Sequence, residues 1–384
     1  MGFFSRFKKE QIVAVFDIGS GSIGGAMIII SPNKKPKIIS SFRKSFKIRE
    51  FVSNEFLKKE MLSNLEEVAK FLQKDIHAVP EKVYAFMSSP WARGSLRTIK
   101  RSRKEGFVFT EKYAKDLVED EIQKFKKENK ELDEIIDKRV VKVLLNGYES
   151  QKPNGKRVKD SEIQVFLSLS SEEMVNQVED VIMKTYHQKI KFTSQMFADF
   201  VVVRDIFEDV NNFITLNIDE EVTEVSVLQN DFLVGTASFP YGKKTFIREI
   251  SKKLNKDISQ VASVLSMHKD SHLDESHTKN LEKTIQEESK VWINSLKMVF
   301  RGLFGELLIP HNIFLITDLS SRRWFLKLLN KNNFPEFITT EDSFNVILAD
   351  TNTLRDFCDI LVGVKKDSNL IMQSIFIGSV ERIK

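Results

Sequence analysis

A run of strand, glycine or acidic turn, strand and strand occurs twice in this chain, and any fold must accommodate both copies. The first copy begins with Gln11-Ile-Val-Ala-Val-Phe-Asp17, turns through Ile18-Gly19-Ser20-Gly21-Ser22-Ile23-Gly24-Gly25, and returns as Ala26-Met-Ile-Ile-Ile30. Apolar runs this short, bounded by glycine, read as buried strands joined in a tight hairpin. Lys37 to Ile48 alternates as a third strand. Residues 54–76 then place Phe56, Leu57, Met61, Leu65, Val68, Leu72 and Ile76 at helical spacing. The second copy runs from Phe213 to Ile218, turns at Asp219-Glu220-Glu221, returns from Val222 to Leu228, and adds Phe232 to Phe239. Helices are expected near 195–210, 245–254, 259–267 and 279–307, with further strands at Asn312–Ile316, Asn345–Leu348 and Ser374–Ile377.

Length allows this duplication and an insertion besides. At 384 residues, with 41% hydrophobic and 29% charged side chains, the chain is long and apolar enough for two or three domains with substantial cores. A net charge of +5, from 59 basic and 54 acidic residues, is too small for a nucleic-acid-binding polycation. The single cysteine, Cys358, excludes an internal disulfide and a cysteine-based zinc site, and suits a reducing cytoplasm. The longest apolar run, Ala26–Ile30, falls far short of the ~18 residues of a spanning helix, and the first ten residues lack the apolar stretch of a secretory signal.

Between the copies lies a stretch of different texture. Val83–Met87 reads as a strand, residues 94–106 are basic with few apolar positions, and Thr110 is placed to cap a charged helix over 111–127. Strands at Arg139–Asn146 and Ile163–Leu169 flank the polar turn Gln151–Lys156, and Ser170 or Ser171 caps a helix running to Tyr186. The expected organisation is a first half of residues 1–81 and 191–212, an inserted α/β subdomain of 82–190, and a second half of 213–384.

Phe16-Asp17-Ile18-Gly19-Ser20-Gly21-Ser22-Ile23 resembles the first phosphate hairpin of the actin-like ATPase superfamily, more narrowly its bacterial FtsA and PilM branch. The placement of the insertion, Leu145-Asn-Gly-Tyr148 with Pro153-Asn154-Gly155, and Val225–Phe239 followed by Pro240-Tyr241-Gly242-Lys243 are similar to FtsA segments. The resemblance implies an α/β, ribonuclease H-like fold: duplicated β-β-β-α-β-α halves around a cleft, with a small inserted subdomain. It also implies ATP and Mg²⁺ as cofactors, with Asp17, Gly19, Ser20, Gly21, Ser22, Thr223 and Gly242 as the nucleotide-binding positions. Glycine lets amides approach phosphate, and a neighbouring hydroxyl adds a donor.

The second hairpin departs from that pattern. The family form D-I-G-G-G-T-T-D is matched by Asn217-Ile218-Asp219-Glu220-Glu221-Val222-Thr223-Glu224, with three carboxylates where glycine belongs. Side chains crowd the phosphate position, and each like-charge contact near 4 Å costs up to ~4 kcal/mol in partly screened surroundings. The adenosine-side glycines are likewise replaced, by Ile316-Thr317-Asp318-Leu319-Ser320, and Asn217 replaces an acid that orients metal and water. The expectation is weakened or lost ATP binding, with no catalytic and no metal-ligating residue assigned. The alternatives are an active ATPase with altered loops and a small-molecule kinase of the same superfamily.

Other features read as structural. Asp219, Glu220 and Glu221 are expected to be solvated rather than metal-bound, as are His268, Asp270, His272, Asp274 and His277 despite the i, i+4 spacing of the first two histidines. Cys358 is expected in the core of an apolar helix. The basic cluster Arg93, Arg97, Lys100, Arg101, Arg103 and Lys104 is either a solvated edge loop or a contact for an acidic partner or membrane headgroups. Phe3, Phe4 and Phe7 beside Arg6, Lys8 and Lys9 allow weak association with an anionic bilayer. The chain stops at Lys384 without the amphipathic membrane helix that usually ends FtsA proteins, which favours the PilM side. The expected function is a cytoplasmic scaffold at the inner membrane face, in cell division or type IV pilus assembly. It would bind a peptide of a membrane-anchored partner and self-associate.

Overall fold

The computed structural model describes residues 10–267, 275–305, 308–318, 321–332, 334, 336–337 and 344–382. In chain order the elements are β1 (Gln11–Ile18), β2 (Ser22–Ile30), β3 (Lys37–Ser45), α1 (Asn54–Ile76), β4 (Lys82–Met87), β5 (Arg93–Val108), α2 (Glu111–Glu128), β6 (Glu134–Leu145), β7 (Tyr148–Glu149), β8 (Arg157–Ser170), α3 (Glu172–Tyr186), β9 (Ile190–Ser194) and α4 (Gln195–Ile206). There follow β10 (Asn212–Ile218), β11 (Thr223–Gln229), β12 (Phe232–Phe239), α5 (Lys243–Leu254), α6 (Ile258–Met267), α7 (Glu275–Phe304), β13 (Asn312–Thr317), α8 (Arg322–Lys331), β14 (Asn345–Leu348), β15 (Asp359–Ile360) and α9 (Ser368–Arg382).

The two copies of the strand pattern build two equivalent sheets. One has the order β15-β3-β2-β1-β4-β9 and the other β12-β11-β10-β13-β14. In each, the first two strands pair antiparallel and the first strand pairs parallel with the one after its crossover. Between the sheets lie α4 and α9, in a core that takes Val13 and Ile28 from one half, Phe213 and Phe314 from the other, and Phe200 and Phe376 from the helices. The outer faces carry α1 and α3 on the first sheet, and α5, α7 and α8 on the second. Gly25 of β2 is required by that packing, since a Cβ there would lie 2.4 Å from a methyl of Val68 in α1.

The insertion is narrower than the expected 82–190. β4 and β9 pair with each other inside the first sheet, and α3 packs on α1, so the inserted unit is β5, α2 and β6–β8. It is a sheet of order β5-β8-β6-β7 with α2 on one face. The expected second half, 213–384, is also too long. β15 pairs with β3, and α9 packs on β1 and β2, so the chain returns to the first half at its end.

Local signals and context divide the remaining differences. Thr110 and Ser171 cap α2 and α3 as expected, accepting from Tyr113 N at 3.1 Å and Met174 N at 3.2 Å. The basic stretch 94–106 is strand β5, and charged 134–138 belongs to β6. Ser374–Ile377, expected as a strand, is helical, because Leu370–Gly378 is buried on every side and shows no amphipathic period. Cys358 lies not in a helix but in the turn before β15, buried, with its thiol pushed up to about 12 by that burial. The residues at 1–9 and the histidine segment 268–274 lie outside the described residues. No helix among the described residues is long and apolar enough to cross a membrane.

Phe376 meets Phe86 and Phe197 edge-on, with centroids 5.7 and 6.4 Å away. Truncating a fully packed phenylalanine costs about 3–5 kcal/mol. Phe376→Ala is expected to lower stability in urea denaturation by that amount and to loosen both halves together, because its core is shared.

Candidate functional site

The two turns of the repeated hairpins face one another across the middle of the molecule, and they touch. The first, Gly19-Ser20-Gly21, presents the Ser20 amide and hydroxyl. Both donate to Asp219 Oδ2 of the second turn, at 2.5 and 2.8 Å. The Ser20 hydroxyl also accepts from Glu221 N at 2.9 Å. A Cβ on Gly21 would sit 2.3 Å from Glu220 Cβ, and one on Gly19 would sit 2.8 Å from Asp219 Oδ2. Glycine is needed at both positions so that the turns can close on each other.

Of the acids in the second turn, Asp219 is thus hydrogen-bonded to Ser20, and Glu220 and Glu221 are ion-paired rather than solvated. Glu220 faces Lys243 at 3.4 Å and Lys244 at 3.9 Å, while burial pushes its carboxyl up against their pull. Glu221 is held by the two terminal guanidinium nitrogens of Arg248, at 3.1 and 2.8 Å, a charge-assisted fork. Lys244 spans the halves, donating to the carbonyls of Gly21 at 2.9 Å and Phe46 at 3.0 Å. Arg248 does the same through Arg49 O at 3.0 Å. The first amides of α5, on Lys243 and Lys244, are spent on the carbonyls of Asp219 and Glu220 at 3.0 and 2.6 Å. A helix N-terminus, the kind of place that receives anions, is thus used by the chain itself.

The other expected positions have internal partners. Asp17 is fully buried and paired with Arg43 at 2.6 Å, and Arg43 reaches on to Asp367 and to the Ser22 hydroxyl, at 2.5 and 2.9 Å. Gly24 is the gap this guanidinium fills, for a Cβ there would meet it at 2.5 Å. Burial raises the Asp17 carboxyl while Arg43 lowers it. Thr223 donates to Tyr241 O at 2.7 Å and accepts from Trp292 Nε1 at 3.2 Å, a strut inside the second half. Gly242 caps α5 against the Asp219 carbonyl, where a Cβ would lie at 2.4 Å. The structure therefore brings Gly19, Ser20, Gly21 and Gly242 to the junction of the turns, with Asp17 and Ser22 behind it and Thr223 to one side. In the third turn, Asp318 pairs with Lys243 and accepts from Ser321 N at 3.0 Å.

Deeper in the cleft stand carboxyl groups from both halves. Asp199 takes the amide of Asn217 at 2.7 Å and that of Gln195 at 2.6 Å, and burial holds it well above the usual carboxylate range. Glu224 accepts from the Ser89 amide and hydroxyl, both at 2.8 Å, and is raised to about 7 by burial. Trp91 Nε1 donates to Gly19 O at 2.8 Å, closing the same wall. Among the described residues no group of three His, Cys, Asp or Glu is arranged to hold a metal ion.

Sequence reasoning missed the cations of this site. A signal was present: Gly242-Lys243-Lys244 followed by Arg248 one helical turn after Lys244 puts basic groups just beyond a hairpin of three acids. Arg43, Ser89 and Asp367 carried no comparable signal, since only the pairing of β2 with β3 and the crossing of the halves bring them in.

No protein-family model matches the chain, and no curated protein matches it by sequence. Solved structures do. The chain is similar to one from a PilM-PilN type IV pilus biogenesis complex, with a TM-score of 0.60 and 13% identity over 97% of this chain and 98% of that one. Other matches are the ethanolamine utilization protein EutJ from Carboxydothermus hydrogenoformans (TM-score 0.42, 8% identity, 96% and 89% covered) and a Bacteroides thetaiotaomicron protein with actin-like ATPase fold (0.42, 13%, 98% and 99%). At such identities the likeness concerns fold. The chain has the actin-like ATPase fold.

Glu224 gives this junction a pH dependence. Its carboxyl titrates near 4.5 when unfolded and near 7 when folded, so across that window the unfolded chain releases a proton that the native state keeps. Stability should fall as pH rises from about 4.5 to about 7, by on the order of 3 kcal/mol for this group. Glu224→Gln keeps an acceptor for Ser89. Urea denaturation across that range should show the difference between wild type and variant shrinking or reversing with rising pH.

Proposed function

We propose that this chain is an actin-fold scaffold of the PilM type that works without nucleotide. The observation that carries the reading is the occupation of Ser20: the amide and hydroxyl that would serve a phosphate are both taken by Asp219 Oδ2. The residues present do not fit ATP with Mg²⁺. The turns leave no gap for even a methyl group at Gly21, and the N-terminal amides of α5 are engaged by the carbonyls of the second turn. Lys244 and Arg248, which a phosphate would otherwise attract, are held by backbone carbonyls and by Glu221.

What remains is a body closed by its own side chains. Its role in this reading is binding: it holds a short segment of a membrane-anchored partner at the cytoplasmic face of the membrane and associates with further copies of itself. The pilus setting is favoured over cell division because the similar PilM structure was solved in a complex with PilN.

Isothermal titration of the chain with Mg-ATP is expected to give no saturable heat, and thermal unfolding is expected not to move on nucleotide addition. Micromolar binding would overturn the reading in favour of an active ATPase, and ATP turnover abolished by Asp17→Ala would complete that reversal. Asp219→Ala should lower stability by about 1–3 kcal/mol in urea, because it strips the Ser20 donors of their acceptor.

A further inference from the structure

The basic cluster of the insertion lies on an open sheet edge. β5 is bonded to β8 on one side and is the terminal strand of its sheet. Its first residues are covered by the second half, where Thr236 Oγ1 reaches Gly94 O at 3.5 Å. From Thr98 to Ser102 only Ile99 is buried. After Ser102 the register slips, with Ser102 opposite Asp160 and Phe107 opposite Val158, so Arg103–Gly106 bulge outward through a left-handed Gly106. By contrast, β9, the terminal strand of the first sheet, gives its Ser194 amide to the Asp137 carboxylate at 2.5 Å.

Charge along this edge has one sign until Glu105. Arg97 turns toward Glu121 and Glu128 on α2, and Lys100 toward Glu162, while Arg103 lies over Phe107 and Tyr113. Arg101 folds its guanidinium onto the Lys100 carbonyl at 2.9 Å, an exposed local contact that an incoming strand would displace. Lys104 is exposed.

We propose that β5 receives an acidic segment of a partner protein in extended conformation, added as a strand beside Thr98–Ser102. Its main chain pairs with the edge of β5, releasing Arg101 from the Lys100 carbonyl, and its carboxylates meet Arg101, Arg103 and Lys104. A bilayer would answer the charge but leave the strand's backbone groups to water. The inference rests on the reading of this chain as a partner-holding scaffold. The two fail separately: Mg-ATP binding overturns nucleotide independence and leaves the edge intact, whereas an inert edge leaves the nucleotide result unchanged.

The probe is a fluorescent peptide alternating glutamate and threonine, titrated into the full chain by anisotropy. Saturable binding is expected, weakened about tenfold or more when alternate amides are N-methylated at unchanged charge, the loss of one or two hydrogen bonds. Arg101→Glu with Lys104→Glu, a change confined to exposed side chains and checked by circular dichroism, should weaken it similarly. No binding, or equal binding of the methylated peptide, would overturn the proposal. Phosphatidylserine vesicles that bind through the same two cations while the peptide does not would assign the edge to a membrane instead.

Discussion

The contact between Ser20 and Asp219 is the hinge of this structure, because it decides what the space between two similar halves is for. Two hairpins in an actin-type fold approach each other with their turns facing inward. If both turns are glycine, their amides face a common gap and invite an anion. Here one turn keeps its glycines and the other supplies the anion. The carboxylate of Asp219 satisfies the amide and hydroxyl of Ser20 directly, and the glycines serve to let the acidic turn approach.

Three acids in one tight turn would repel each other and cost stability if left to themselves. Each has instead a distinct answer: Ser20 for Asp219, Lys243 and Lys244 for Glu220, Arg248 for Glu221. Lys244 and Arg248 also reach carbonyls of the first half, so neutralising the acids and joining the halves are one arrangement. A partly buried network of this kind is demanding, since removing one member leaves another charge without its partner. Its effect is to fix a single relation between the halves.

Behind this junction the shared core adds a second constraint. α4 and α9 are packed between the sheets and bury residues from both. Closure by apolar burial is not directional, whereas closure by the turns is, and the two together define one geometry. The insertion has its own sheet, helix and core and is tied to the shared one by Phe166 of β8, stacked on Phe197 of α4 at 4.9 Å, while Thr98–Ser102 of β5 stays at the surface.

The duplicated hairpins, the helix between them, the caps at Thr110 and Ser171, and the acid-filled second turn could all be read from the sequence, because each depends on residues near in the chain. Alternation, turn chemistry and capping are local. The ends of the insertion, the return of the C-terminal helix to the first sheet and the helical state of Ser374–Ile377 could not, because a segment buried on all sides carries no period. Nor could the meaning of the acids. Sequence alone determined that Asp219, Glu220 and Glu221 stand where glycine would favour phosphate. Only the tertiary structure decided that they are held by Ser20, Lys243, Lys244 and Arg248 rather than by water, since Ser20 comes from a strand turn about two hundred residues away, and charge pairing at that separation is fixed by folding and not by spacing.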